Sequence, residues 1–214
     1  GGADLVYNGN SSNWKKLGNS LKLRMAVRIA GVDAVKASTM ATEAVTSGVF
    51  TSNADNAKLV YLDASPYTNP IWDALVDSGR NDFIAAETII DIMDPLSDGR
   101  MAEYFRQNQS PYIGGEYGGN NAFSSYTHLG DKLHDKNNEG VIFDYSEVKF
   151  LLAEAAELNL HGTPADAEAH YDAAITASFS YWGATLGSYL TQTGVAYTTA
   201  TGTWQEKIGT QKWI

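Results

Sequence analysis

The feature that most constrains this 214-residue chain is a pair of alanine-punctuated helical segments joined by one turn. From Ser146 onward, Phe150, Leu151, Ala153, Ala155 and Leu158 recur at helical spacing, and Gly162 closes the segment. Thr163 then supplies an N-cap and Pro164 a first helical position, where a missing N–H is harmless. Ala167, Tyr171, Ala174, Ile175 and Ser178 carry the second helix. Small residues at these positions let two antiparallel helices approach closely, and the tyrosine fills the gap between them.

Ala155 in the first helix and the run Ala167, Tyr171, Ala174 in the second match the spacing of a tetratricopeptide unit. One such unit cannot bury both its faces, so neighbours are required. A candidate neighbour lies near the N-terminus. Trp14, Leu17, Leu21, Met25 and Ile29 fall on one helical face, with Ser12 or Asn13 as the cap, cationic residues elsewhere and Gly31 as the stop. Asp33 caps a second helix striped by Ala37, Met40, Ala41, Ala44 and Val45, and Gly48 stands where a C′ glycine belongs. The expected organisation is a single domain over 1–214. It has helical hairpins at 12–48 and 146–182 and an irregular, loop-rich insert at 49–140.

Within the insert, Lys58 to Leu62 reads as a short strand, and Pro66 and Pro70 frame a loop. Ile71 to Val76 and Ala86 to Met93 read as short helices, the second stopped at Asp94-Pro95. A polar, aromatic-rich stretch follows from Tyr112 to Tyr126, with glycine pairs at Gly114-Gly115 and Gly118-Gly119. Long irregular loops of this kind are functional or disordered.

Composition excludes several classes. A formal charge of −10, from 25 acidic and 15 basic residues, opposes binding to a phosphate backbone, so nucleic acid is not an expected partner. There is no cysteine, hence no disulfide, Cys-ligated zinc or thiol catalysis within this sequence. No run of about 20 apolar residues is present. The chain begins at Gly1-Gly2 and closes at Lys212-Trp213-Ile214 inside a helical pattern, so both ends read as cuts, with a signal or lipid-anchor segment removed.

No catalytic or nucleotide-binding signature is present, and the four histidines do not pair at metal-ligand spacing on one helix face. Asp91, Asp94 and Asp98, followed by Gly99, offer short oxygen ligands for calcium, but their spacing does not fit an EF-hand, and helix-end and turn chemistry, where Asp is favoured anyway, is the better account. Glycoside hydrolysis needs two opposed carboxylates, and 25 acidic residues do not single out a pair. The expectation is therefore no catalytic residues, no metal and no cofactor. Aromatic and amide side chains on polar loops suit a sugar, whose C–H faces stack on rings and whose hydroxyls bond to polar groups. The candidate ligand-binding residues are Tyr67, Trp72, Tyr112, Tyr117, Asn120 and Tyr126, each with local packing as the competing role.

Several segments together resemble the SusD/RagB-like family of nutrient-binding outer-membrane lipoproteins. Asp4 to Asn10, then Trp14 and Asn19 to Ile29, are similar to its "D-x-Y-x-G-D, W, NSLRLRLAMR" signature, with Asn10 where the family has Asp. Asp94-Pro95 and Arg100-Met101 are similar to its DPR element, interrupted by four residues. Ser146 to Ala155 is similar to "EVxFLLAEAA". Ile175, Ser178 and Trp182, then Ile208 and Gln211-Lys212-Trp213, are similar to the motifs that follow.

The resemblance implies a mainly α superhelix of tetratricopeptide-like hairpins packed against an irregular loop-rich lobe, and a chain that is the central part of a longer protein. It implies a lipid-anchored protein on the outer-membrane surface that captures oligosaccharide or peptide. The cargo would pass to a SusC-like TonB-dependent transporter. The rival is a tetratricopeptide scaffold that holds a protein partner and no small ligand.

Overall fold

The computed structural model describes residues 3–214; Gly1 and Gly2, on which the expectation of a cut N-terminal end falls, lie outside them. The fold is mainly α, with tetratricopeptide-like hairpins and a loop-rich lobe. In chain order come α1 (Ser11–Ile29), α2 (Ala34–Ser47), β1 (Ala57–Leu59), α3 (Pro70–Trp72), α4 (Glu87–Met93), α5 (Met101–Tyr104), β2 (Gly140–Phe143), α6 (Tyr145–Glu157), α7 (Pro164–Trp182) and α8 (Trp204–Trp213). β1 and β2 pair in a two-stranded sheet. Two compact units are distinguished. The helical one comprises the chain up to Leu59, Val141–Tyr181 and Thr193–Trp213; the loop-rich one comprises Val60–Gly140, Trp182–Gln192 and Ile214. Among the described residues no helix is long and apolar enough to cross a membrane.

In the helical unit the alanines act as their spacing requires. Ala37, Ala41 and Ala44 of α2 are fully buried, as are Ala155 of α6 and Ala167 and Ala174 of α7. Without longer side chains, backbones approach closely and Leu23, Phe50, Val148 and Leu151 fill the remaining volume. Each such large side chain contributes about 1.5–3 kcal/mol by leaving water. Tyr171 is buried against Phe150, and its hydroxyl donates to the Val195 carbonyl at 2.8 Å.

Several local expectations need correction. The stripe Trp14, Leu21 and Met25 does not face the core: these residues are 45%, 38% and 53% exposed. The buried face of α1 is Leu17, Ser20, Leu23, Ala26 and Val27. A close-packed face selects small residues, which a search for large apolar ones undervalues. Ser20 is tolerated there because its hydroxyl donates to the Lys16 carbonyl and accepts from the Phe50 N–H. The cap of α1 is Asn10, not Ser12 or Asn13; its side-chain oxygen accepts from the N–H groups of both. The first strand is Ala57–Leu59 rather than 58–62, and α6 begins one residue early, at Tyr145, behind an Asp144 cap. Asp33 and Gly48 cap α2 as expected.

The motif residues serve this packing. Asp4 organises its turn by accepting from the Val6, Tyr7 and Gly9 N–H groups and from the Trp14 indole at 2.7 Å. Gly9 turns the chain there with φ of 82°. Arg24 of α1 holds Glu147 of α6 through Nε and Nη2, at 2.9 and 2.6 Å, while lying 4.1 Å above the Phe143 ring. Lys212 of α8 reaches Glu154 of α6 at 2.8 Å.

The loop-rich unit has its own core of Ala85, Ile90, Met93, Met101, Tyr104 and Phe105, with Trp182 edge-on to Tyr104 at 4.4 Å. The Tyr112–Tyr126 stretch is stitched down rather than loose. Thr127, fully buried, accepts from the Ala85 N–H, donates its own N–H to the Ile113 carbonyl, and accepts the Ile113 N–H on its hydroxyl. Gly114 is required by close approach, since a Cβ there would stand 2.2 Å from Glu87 Cα.

Candidate functional site

Two clefts open on the loop-rich unit. The larger, of about 510 Å³, is lined by apolar Leu75, Val76 and Leu129, by the rings of Phe83, Phe123 and His128, and by Arg80, Asn81, Arg106 and His134. The second, of about 430 Å³, is lined by Ala102, Glu103, Phe105, Gln107, Tyr112, Asp131 and Lys132, and again by Arg106. Arg106 is therefore common to both.

Local structure explains how these side chains are held. Leu75 and Val76 come from the helical turn that follows α3, whose start is set by Pro70 behind an Asn69 cap. His128 stacks on Phe123, centroids 3.7 Å apart and planes 11° from parallel, while its Nε2 donates to the Phe123 carbonyl at 2.9 Å. The backbone fixes that pair, because His128 donates its N–H to Asn108 and accepts the Arg106 N–H at 3.0 Å. His134 donates from Nδ1 to the Gly130 carbonyl at 2.8 Å. Arg80 lies 4.9 Å above the Phe83 ring and pairs with Asp82, whose carboxyl it holds below the usual carboxylate range. Arg106 pairs through Nε with Asp131.

The sequence candidates are distributed differently. Tyr112 lines the second cleft and packs on the unit's apolar core; burial first, and the charge of Asp94 second, raise its pKa, so the phenol stays a donor at neutral pH. Tyr67 and Tyr117 are exposed on loops, 64% and 73%. Asn120 is exposed just beyond a turn, Trp72 is half-buried on α3, and Tyr126 is half-buried with its carbonyl accepting from Asn108. These five do not line the two clefts.

Phe83, Arg80, Arg106 and His128 are the residues that sequence reasoning did not single out. The only local signal is the Arg80-Asn81-Asp82-Phe83 run, where a cation and a ring share a short loop. Asp98, offered as a calcium ligand, has its carboxylate committed to Arg100, and among the described residues no group of three or more His, Asp or Glu is arranged to hold a metal.

The arrangement offers ring faces for stacking, guanidinium donors and hydroxyl partners, which is the chemistry of recognition. The lining of the larger cleft contains no carboxylate.

Comparison with known proteins places these features in context. The whole chain, residues 1–214, matches a family model, SusD-like, described as "Starch-binding associating with outer membrane". A search of curated proteins finds no match. Among solved structures, a chitin-binding protein superposes with a TM-score of 0.81 at 27% identity over 98% of this chain and 50% of that one. A SusD homologue from Bacteroides uniformis gives 0.75 at 35% identity over 89% and 41%. A chitin-binding SusD homologue from Flavobacterium johnsoniae gives 0.74 at 29% identity over 90% and 40%. The chain thus spans 40–50% of the length of these solved relatives.

Proposed function

The chain belongs to the SusD-like family, and on that premise we propose that it is part of a cell-surface receptor that captures oligosaccharide without cleaving it and passes it to a SusC-like TonB-dependent transporter. The observation that carries this reading is the family match over residues 1–214. Two of the solved relatives are chitin-binding by name, which favours sugar over peptide as the cargo. The ring-lined clefts and the exposed tyrosines of the loop-rich unit supply the stacking faces a sugar needs. The ligand contacts in this proposal include Tyr67, Trp72, Tyr112, Tyr117, Asn120 and Tyr126. The protein sits at the outer membrane, held there by a lipid anchor, and works without cofactor.

Non-catalytic capture is supported by the acid–base inventory. Glycoside hydrolysis needs a proton-donating carboxyl and an opposed carboxylate. The larger cleft has neither; the second carries Glu103 and Asp131, of which Asp131 is tied to Arg106 and so is not free to pair with Glu103 in catalysis. Affinity is expected to be modest, because an open polar site competes with water for every hydroxyl.

Calorimetric titration with starch, chitin and other oligosaccharides and with peptides, each mixture then checked for cleavage, tests the reading. Binding with intact ligand supports it; cleavage sinks it. A scaffold without a small ligand is the second reading, favoured by the exposed Trp14, Leu21 and Met25 on α1. Absence of heat with every ligand selects that scaffold.

A further inference from the structure

The lining of the larger cleft carries cationic side chains and no carboxylate, unlike the chain as a whole. The sequence carries 25 acidic against 15 basic residues. The cleft lining nevertheless holds Arg80, Arg106, His128 and His134 and no Asp or Glu. The carboxylates that pair with the two arginines, Asp82 and Asp131, are not among the lining residues. Arg106 meets Asp131 through Nε, which leaves both Nη groups to donate elsewhere, whereas Arg80 meets Asp82 through Nε and Nη2 and keeps Nη1 as its remaining donor.

The two imidazoles add a different capability. A backbone carbonyl only accepts, so the nitrogens beside the Phe123 and Gly130 carbonyls, His128 Nε2 and His134 Nδ1, are those that carry hydrogen. In the neutral rings His128 Nδ1 and His134 Nε2 are then acceptors, suited to hydroxyl groups. Phe83 and the Phe123–His128 stack give flat apolar faces in the same space. A ligand complementary to all of this has a ring with apolar C–H faces, hydroxyls that donate, and an anionic group for the paired Nη donors of Arg106 and the remaining Nη1 of Arg80.

We infer that the 510 Å³ cleft takes a saccharide bearing an anionic substituent, a carboxylate or a sulfate, received by Arg80 and Arg106 while His128 and His134 accept its hydroxyls. This rests on the saccharide-capture reading and narrows its substrate class. The net charge of −10 repels anions at long range, so the attraction is local and weakens with salt.

The test titrates the whole chain with two matched pairs: oligogalacturonate against its methyl ester, and a sulfated galactan oligosaccharide against its desulfated twin. The anionic member of at least one pair is expected to bind about tenfold or more tightly than its neutral twin, as loss of a charge-assisted hydrogen bond implies. Whichever pair shows the preference identifies carboxylate or sulfate. The variant Arg80→Gln/Arg106→Gln abolishes the preference, whereas Lys36→Gln, an exposed charge on α2, keeps it. Both arginines are about half-exposed, 53% and 44%, so the double variant is expected to fold, and a thermal melt matching wild type is the check. If the twins bind alike and the double variant changes nothing, the anionic assignment is overturned while saccharide capture stands. If starch or chitin oligosaccharides bind and none of the four probes does, the assignment is again overturned alone. If no saccharide binds at all, both fall.

Discussion

Arg100 is fully buried in the loop-rich unit with its guanidinium on the carboxylate of Asp98 two residues earlier, Nη2 to Oδ2 at 2.6 Å and Nε to Oδ1 at 3.0 Å. Asp98 also accepts the Arg100 backbone N–H at 2.9 Å, and the Tyr189 ring lies 5.7 Å from the guanidinium. A charge this deeply buried is tolerated only when paired. Asp98→Asn is expected to destabilise the protein by about 3–5 kcal/mol, the usual penalty for orphaning one member of a buried pair. Replacing both residues, as Asp98→Leu/Arg100→Met, recovers much of that loss. Denaturant melts of the single and double variants decide it; a single variant within 1 kcal/mol of wild type would show that the pair does not hold the unit.

Thr127 joins the segments carrying Ala85 and Ile113. Its hydroxyl accepts the Ile113 N–H at 2.7 Å. Thr127→Val keeps the shape and removes that acceptor, at a cost of about 1 kcal/mol, the low end for a part-buried donor left unpaired. Amide exchange at Ile113 should accelerate in the variant. Unchanged exchange would mean that the backbone bonds alone fix the stretch.

In the helical unit Asp55 carries a pH signature. Burial alone pushes its carboxyl up, but Lys16 at 2.7 Å and the N–H and hydroxyl of Thr51 outweigh burial and hold it below the ordinary 3.8. A depressed folded value means the contribution is complete above the unfolded value and is lost as pH falls through the folded one. The stability difference between wild type and Asp55→Asn should therefore be steady near neutrality and shrink below about pH 4. Thermal melts between pH 7 and 2.5 measure it, and a difference that grows on acidification would reverse the assignment.

The combined change Tyr112→Ala, Tyr117→Ala and Tyr126→Ala should weaken oligosaccharide binding by at least about tenfold, since each stacked ring is worth roughly 0.5–1.5 kcal/mol. If the proposed hand-over to a SusC-like transporter holds, co-purification with that transporter should be unaffected. Tyr112 also packs on the apolar core, so Tyr112→Phe separates lost stacking from lost packing. Full-strength sugar binding by the triple variant would remove these tyrosines from the site.

What the sequence alone determined is local. The alanine spacing of α6 and α7, the Thr163-Pro164 start, and the Asp33 and Gly48 caps of α2 all follow from helical periodicity and from backbone groups that need partners nearby. The tertiary structure decided which face of α1 is buried, because Ser20 and Ala26 carry little hydrophobic weight until a close-packed neighbour selects small side chains. It also decided that Arg80, Arg106, His128 and His134 share one cleft. Those residues come from three separate stretches of the chain, around 80, 106 and 128–134, and follow no common period. Their meeting depends on backbone bonds such as Arg106 N–H to the His128 carbonyl, formed only once distant segments have closed on one another.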